Sequence, residues 1–369
     1  MAIELLRKIG HAIGWESNSS AQKAALFQRY HDLSQNIPVK GDEINAWNVE
    51  FSAVLEKLFV SRLSSQEWAS MLAGLYSYRK TGVTSAQSHG AYVRAFEASS
   101  GLSHEFLHQA LFGREFADFE PRDLTSPFFG KVSAATRAKV VETLKSDGYC
   151  ILPFSIKLNA VKELQKLTLG MSYDLRDKES PDAPDRIKGI DPHHPPAAVT
   201  AWGTSETLQA ARKFESLAND PVIMDIATQY LDAEVSPIGK ALWYSFPSKS
   251  PKSESAQFYH YDLDTLRWLK AFYYLSDVEP ENGPHKYIEG SHLTGAKNRY
   301  LLERSYQRIP DEDIKRLQPG TERSVTGKAG TIVLGDTRAF HKGEALRAGY
   351  RLIYQPVYAS SQLSYVQSR

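Results

Sequence analysis

Phe258-Tyr259-His260-Tyr261-Asp262, with His341 and Arg351 further along, is the stretch on which the reading of this chain turns. His260 and Asp262 are two positions apart, and in an extended strand side chains at i and i+2 leave the same face. An imidazole and a carboxylate therefore converge on one point. A second imidazole from a distant strand, His341, completes two histidines and one carboxylate on one side of a metal. That facial arrangement leaves coordination positions open and suits non-haem Fe(II). A His-x-Asp triplet alone arises by chance in many chains, so its weight comes from the text around it.

Outward from the triplet, residues 240–246, 256–262, 267–275, 330–334 and 350–358 read as strands. Helices are expected over 136–145 and 161–169, with a strand over 149–154 between them. The predominantly β texture with inward alternation predicts a double-stranded β-helix, the jelly roll that cupins share. With the helices included, the fold class is α+β. Residues 174–203 are polar and carry Pro181, Pro184, Pro192, Pro195 and Pro196. They read as one long loop, and a loop of that length in a compact domain is expected to act as a lid or binding element.

The first part of the chain has a different texture. Phe51, Val54, Leu55, Leu58 and Phe59 recur at helical spacing. Ser64 and Glu67 fit a capping box that opens the next apolar stripe, Trp68, Met71, Leu72 and Leu75. Tyr92, Phe96, Phe106, Leu107, Ala110 and Leu111 suggest further helices, their aromatics read as core. Pro121, Pro127 and Gly130 mark a joint. Two parts are therefore expected: a helical N-terminal region of unknown role over 1–130, and the jelly-roll domain over 131–369.

Composition narrows the function classes. Among 369 residues, 42% are hydrophobic and 24% charged, ordinary values for a soluble globular protein. The net charge of +1 carries no basic excess, so no nucleic-acid partner is expected. Cys150 is the single cysteine, so no internal disulfide forms and a reducing, cytoplasmic location is expected. The N-terminus has charges interrupting every apolar run and does not read as a signal peptide. No run of apolar residues is long enough to span a membrane, so no membrane partner is expected. Asn18-Ser19-Ser20 fits a glycosylation sequon, read as chance in a chain without an export signal.

Other histidines compete for a metal. His104-Glu105-Phe106-Leu107-His108 is formally His-Glu-x-x-His, which on a helix sets two imidazoles one turn apart beside a potential base. It lacks the Gly and third His that follow this motif in many zinc proteases, and Glu115 and Glu120 lie too close to act as the usual later third ligand. The plainer expectation is a partly exposed helical face. His193 and His194 lie among prolines and are either substrate contacts or solvated.

The text around His260 resembles the phytanoyl-CoA dioxygenase family of Fe(II)/2-oxoglutarate oxygenases. The likeness opens at Leu144-Lys145-Ser146-Asp147-Gly148-Tyr149-Cys150-Ile151-Leu152-Pro153 and continues in Leu217-Ala218-Asn219-Asp220-Pro221. It then takes in His260 and Asp262, the strand 269–275, Glu281-Asn282-Gly283, Glu289-Gly290-Ser291-His292, Gly335-Asp336, His341 and Arg351. Order and spacing agree over roughly residues 137–360.

The resemblance implies a metal site of His260, Asp262 and His341, with His285 and His292 as the displaced rivals. It implies Fe(II), with 2-oxoglutarate and O2 as co-substrates. The expected reaction hydroxylates a C–H bond of a small-molecule substrate and releases succinate and CO2. Retention of Asp262 argues against halogenation. Arg351 would hold the far carboxylate of 2-oxoglutarate, which a planar guanidinium grips at two points. Arg347, in a polar turn, is the rival. Lys270, Phe272 and Tyr274 share one strand face. Phe272 would wall the co-substrate, and Lys270 would either meet a carboxylate or point to water. Two other classes remain: a zinc hydrolase built on His104, Glu105 and His108, and a non-catalytic binding module on a jelly-roll scaffold. The identity of the substrate and the oligomeric state are not expressed in the residues.

Overall fold

The computed structural model describes residues 122–248, 256–293, 308–318 and 320–360, the helix around 85–99, and isolated positions among 70–77, 101–108 and 297–302. The stripe at Phe51–Phe59, the Ser64 capping box, the sequon and the N-terminal charges lie outside the described residues, as do Trp68, Phe106, Leu107, Ala110 and Leu111.

Helix α1, Ala86–Ser99, precedes a short hairpin, β1 Leu124–Ser126 and β2 Gly130–Val132. Helix α2, Ala134–Asp147, starts at Ser133, whose side chain accepts the Thr136 amide. It ends at Gly148, left-handed at φ 85°, whose amide closes on the Leu144 carbonyl. A Cβ at Gly148 would stand 2.5 Å from His292 Nδ1, so the position excludes every other residue on two counts. Then follow β3 Tyr149–Ile151, α3 Leu158–Thr168, β4 Ser172–Lys178, β5 Arg186–Lys188 and β6 Ala198–Gly203.

Helices α4 Ser205–Ala210, α5 Arg212–Ala218 and α6 Pro221–Leu231 lead into β7 Ser236–Ser245. Asp220 caps α6 by accepting the Val222 amide at 2.9 Å, and Ser126 Oγ donates to its other oxygen at 2.6 Å. Pro221 occupies the first turn, where its missing N–H costs nothing. The remaining strands are β8 Trp268–Tyr274, β9 His285–Ile288, β10 Glu322–Val325, β11 Ile332–Gly335, β12 His341–Gly343 and β13 Arg351–Ala359.

Apart from the β1–β2 hairpin, the strands form two facing antiparallel sheets. The large one runs β3-β11-β8-β13-β7-β6-β4-β5, and the small one β10-β9-β12. This is the α+β jelly roll. Strand β8 shows why its sequence carries no hydrophobic alternation. Leu269, Ala271 and Tyr273 belong to the core beneath α2, α3, α5 and α6, whereas Phe272 and Tyr274 face inward with Trp243, Tyr287, Val333 and Ile353. Both faces are buried. Among the described residues no helix is long and apolar enough to cross a membrane.

Two local expectations need correction. Residues 174–203 are not one loop: β4, β5 and β6 lie within 172–203 and extend the large sheet to its edge. Tyr173 and Leu175 alternate into the helix-covered core, while Asp174 and Arg176 between them give the segment its polar texture. Pro181 and Pro184 fall between β4 and β5, and Pro192, Pro195 and Pro196 between β5 and β6, where no ladder hydrogen bond is lost. Residues 256–262 form no regular strand either. They run extended and join through single bridges, Tyr259 to Ile309 and His260 to His341.

The described N-terminal residues pack on the jelly roll. Phe96 of α1 stacks on Tyr261 with ring centroids 5.8 Å apart, within a buried cluster that includes Tyr259, Trp268 and Phe340.

Candidate metal centre and co-substrate pocket

His260 and His341 face each other from two extended segments. The donor atoms of His260, Asp262 and His341 all lie within 4.8 Å of one another, the one such histidine–carboxylate group among the described residues. Asp262 Oδ1 is 3.7 Å from His260 Nε2, and Oδ2 is 3.6 Å from His341 Nε2. The backbone fixes the protonation of both rings. His260 Nδ1 lies 2.9 Å from the Phe258 carbonyl, and His341 Nδ1 lies 2.9 Å from the Ala339 carbonyl. A carbonyl only accepts, so each Nδ1 carries a proton and donates it. Each Nε2 then turns a lone pair to the shared point, the orientation a ligating imidazole needs.

Electrostatics favour the ligand forms. Burial pushes both imidazoles below their ordinary value, so both are neutral near pH 7. Burial opposes the charge on Asp262, but Lys270, then His341 and His260, hold the carboxyl well below the usual range. Two neutral nitrogens from buried rings and one ionised oxygen from a half-buried carboxylate, mutually close, fit a divalent iron.

Lys270 does not point to water. Its Nζ donates to Asp262 Oδ2 at 2.7 Å and stands 2.8 Å from Asp264 Oδ2, and these carboxylates keep the buried ammonium charged. Asp264 is an addition to the residues expected from the sequence, and its i+2 spacing from Asp262 is the signal that points to it. Phe272 lies two residues further in, its ring 4.6 Å from that of His285. His285 Nδ1 is 3.1 Å from the Tyr274 hydroxyl.

Arg351 begins β13, directly opposite Ser245 in the ladder. Its side chain is buried, with Nη2 donating to Ser245 Oγ at 3.4 Å, while Nε and Nη1 have no hydrogen-bond partner. Burial lowers it to about 10, still cationic at neutral pH. Gly343 leaves room for it, since a Cβ there would stand 3.0 Å from Nη2. A buried guanidinium with two empty donors is costly unless an anion arrives. Arg347 is exposed and paired with Glu281 at 2.9 Å. Arg351 and Arg347 thus have opposite environments.

The remaining histidines stand outside the cluster. His292 is buried beneath Gly148. His194 is largely exposed and meets Asp191 at 2.7 Å. His193 packs edge-on to Tyr350 and lines, with Pro192, Pro195, Ser276 and Tyr350, a cavity of 580 Å³ beyond the C-terminal end of β8. Lys270, beside the His260–Asp262–His341 cluster, is near the other end of that strand.

The expectation of a partly exposed His104–His108 face is corrected: both rings are fully buried. His108 Nε2 lies 2.8 Å from the Leu231 carbonyl and its Nδ1 3.3 Å from Ser360 Oγ. Glu105 is bound to Arg338 and lies 3.4 Å from Arg267. The motif is tied to protein partners, not gathered about a metal.

Several solved structures resemble the chain at low identity. AviO1 from Streptomyces viridochromogenes Tue57 shares 19% identity, covering 60% of this chain and 94% of its own, at a TM-score of 0.40. HygX from Streptomyces hygroscopicus, solved with nickel, 2-oxoglutarate and hygromycin B, shares 16% over 60% and 86%, at 0.39. EctD from S. alaskensis with bound Fe shares 22% over 68% and 87%, at 0.43. No curated protein matches the sequence. The assignment rests instead on the family comparison, in which phytanoyl-CoA dioxygenase (PhyH) matches residues 144–350, more than half of the 369-residue chain. That span contains His260, Asp262 and His341 and stops one residue short of Arg351, and the chain belongs to the phytanoyl-CoA dioxygenase family of Fe(II)/2-oxoglutarate-dependent oxygenases.

Proposed function

We propose that the chain hydroxylates a C–H bond of a small-molecule substrate, with His260, Asp262 and His341 as iron ligands and Arg351 as the anchor for 2-oxoglutarate. One observation carries this reading. Two neutral imidazole nitrogens and a carboxylate converge in the same barrel as a buried guanidinium with two unpartnered nitrogens. On this reading residues 131–369 carry the chemistry and residues 1–130 form a helical region attached to it.

Bound iron supplies the oxidising chemistry that consumes O2 and 2-oxoglutarate and releases succinate and CO2. The protein's own groups bind, orient and exclude water. Arg351 has Nε and Nη1 free of protein partners, so each edge of its planar guanidinium keeps a donor for a carboxylate, a match an ammonium does not make. Phe272 walls the space between that arginine and the metal cluster, beside His285 and Tyr274. Lys270 pairs with both Asp262 and Asp264, and its single positive charge offsets that of the ionised Asp262.

The test is a turnover assay with Fe(II), 2-oxoglutarate and O2 against a panel of metabolites, scored by succinate and by a mass gain of one oxygen. Hydroxylated product with equimolar succinate is expected for at least one substrate. A product lacking the added oxygen would replace hydroxylation with another oxidative outcome.

A further inference from the structure

The turn after β11, Asp336-Thr337-Arg338-Ala339, holds two of the three candidate ligands. The Thr337 carbonyl accepts the Asp262 amide at 2.8 Å, and the Ala339 carbonyl accepts His341 Nδ1 at 2.9 Å. Thr337 Oγ1 also receives Trp268 Nε1 at 2.7 Å. These two carbonyls flank Arg338, so a rotation of the turn moves both ligands together.

Arg338 is buried and clamped from two directions. Asp336 takes its Nη2 at 2.6 Å and its Nε at 3.0 Å, and receives the Tyr230 hydroxyl at 2.6 Å. Its Nη1 donates to Glu105, a residue 233 positions earlier, on the described N-terminal segment. Burial alone would raise Glu105, yet Arg267 and Arg338 hold it at about 2, so it is ionised. His108 ties the same segment to the end of α6 through the Leu231 carbonyl. Two arginines and two carboxylates thus balance, with Arg338 and Asp336 buried and Glu105 and Arg267 half-buried at the edge. Removing Glu105 leaves a buried cationic excess directly on the turn.

We propose that Glu105 is a positioning residue: through Arg338 it fixes the 336–339 turn, and so sets where Asp262 and His341 stand relative to His260. The N-terminal segment is then a working part of the metal site. This also accounts for the histidine–glutamate motif, whose glutamate serves the iron site indirectly and whose second histidine is an anchor. The proposal rests on the metal reading of His260, Asp262 and His341.

The test uses full-length protein and anaerobic Co(II), whose visible absorption reports coordination geometry, alongside thermal unfolding. Glu105→Gln is expected to weaken Co(II) binding about tenfold or more, the scale seen when outer partners of ligands are lost, and to change the absorption bands. Glu105→Asp, which keeps the charge on a shorter arm, is expected to fall between. Leu164→Ala, in the helix-covered core, serves as the destabilised control and should leave affinity and spectrum unchanged. Wild-type affinity and spectrum in Glu105→Gln would overturn the proposal, as would an equal change in Leu164→Ala. If Glu105→Gln does not fold, Glu105→Asp decides: an intermediate affinity supports the clamp and wild-type values refute it. Failure of the wild type to bind Co(II) in a His341-dependent way overturns the metal reading itself, and the clamp with it.

Discussion

His260 and His341 exchange both backbone hydrogen bonds, His260 N to His341 O at 3.0 Å and His341 N to His260 O at 2.9 Å. The bridge is isolated: His341 opens β12, but its partner His260 belongs to no regular strand. It brings the two ring centroids to 4.3 Å. Main-chain pairing therefore sets the spacing of the imidazoles before any metal is bound, and the side chains need only their Nδ1 contacts to settle rotation.

Arg351 and Arg347 make opposite predictions. Arg351→Leu removes the buried cation that faces the barrel, and 2-oxoglutarate affinity should fall by roughly 2–5 kcal/mol, as for truncation of one partner in a buried charge pair. Iron binding should survive. Arg347→Leu, at the surface, should leave affinity within about twofold, consistent with the small value of exposed pairs. Calorimetric titration of 2-oxoglutarate into both variants checks this. A larger loss in Arg347→Leu would reverse the choice of anchor.

Phe96 should be integral to the fold. Its ring projects from α1 into a buried cluster and stacks on Tyr261, the residue between His260 and Asp262. Phe96→Ala should cost about 3–5 kcal/mol in chemical denaturation, the usual range for a buried phenylalanine. A loss below about 1 kcal/mol, the size of an ordinary surface change, would show that α1 contributes little to the jelly roll.

Acid should destabilise the metal-free protein early. Burial holds His104 and His108 at about 3 and His292 at about 4. In the unfolded chain these rings titrate near 6.5. Below that value the unfolded state takes up protons that the folded state refuses. Stability is therefore intact above the unfolded value and is lost as pH falls toward the folded ones. Each ring contributes a slope of about 1.4 kcal/mol per pH unit, and the three together about 4. Urea midpoints at pH 7.5, 6.5 and 5.5 should fall mainly over the last step. A flat profile would mean that these histidines are protonated in the folded protein.

The parts legible in the sequence were those with local causes. The helix ahead of Gly148 was readable because α2 ends at its own glycine, and β8 because an apolar run bounded by polar residues has few other uses. The His260–Asp262 spacing already implied convergence, which the structure reports through ligand atoms within 4.8 Å. What stayed hidden depended on distant partners. Strand β4 was masked by Asp174 and Arg176, which lie on the face turned away from the helices. The burial of His104 and His108 follows from Leu231, Ser360 and Arg338, all more than a hundred residues away. Lys270 had two open readings from the sequence, and only the placement of Asp262 and Asp264 separates them.

The central claim is that His260, Asp262 and His341 hold one iron. Its most direct measurement is anaerobic Fe(II) titration of the wild type and of His260→Ala, Asp262→Ala and His341→Ala. We expect one Fe(II) per wild-type chain and loss of stoichiometric binding in every variant, each still folded by circular dichroism. Stoichiometric iron retained in His260→Ala and Asp262→Ala would contradict the assignment and place the metal elsewhere in the chain.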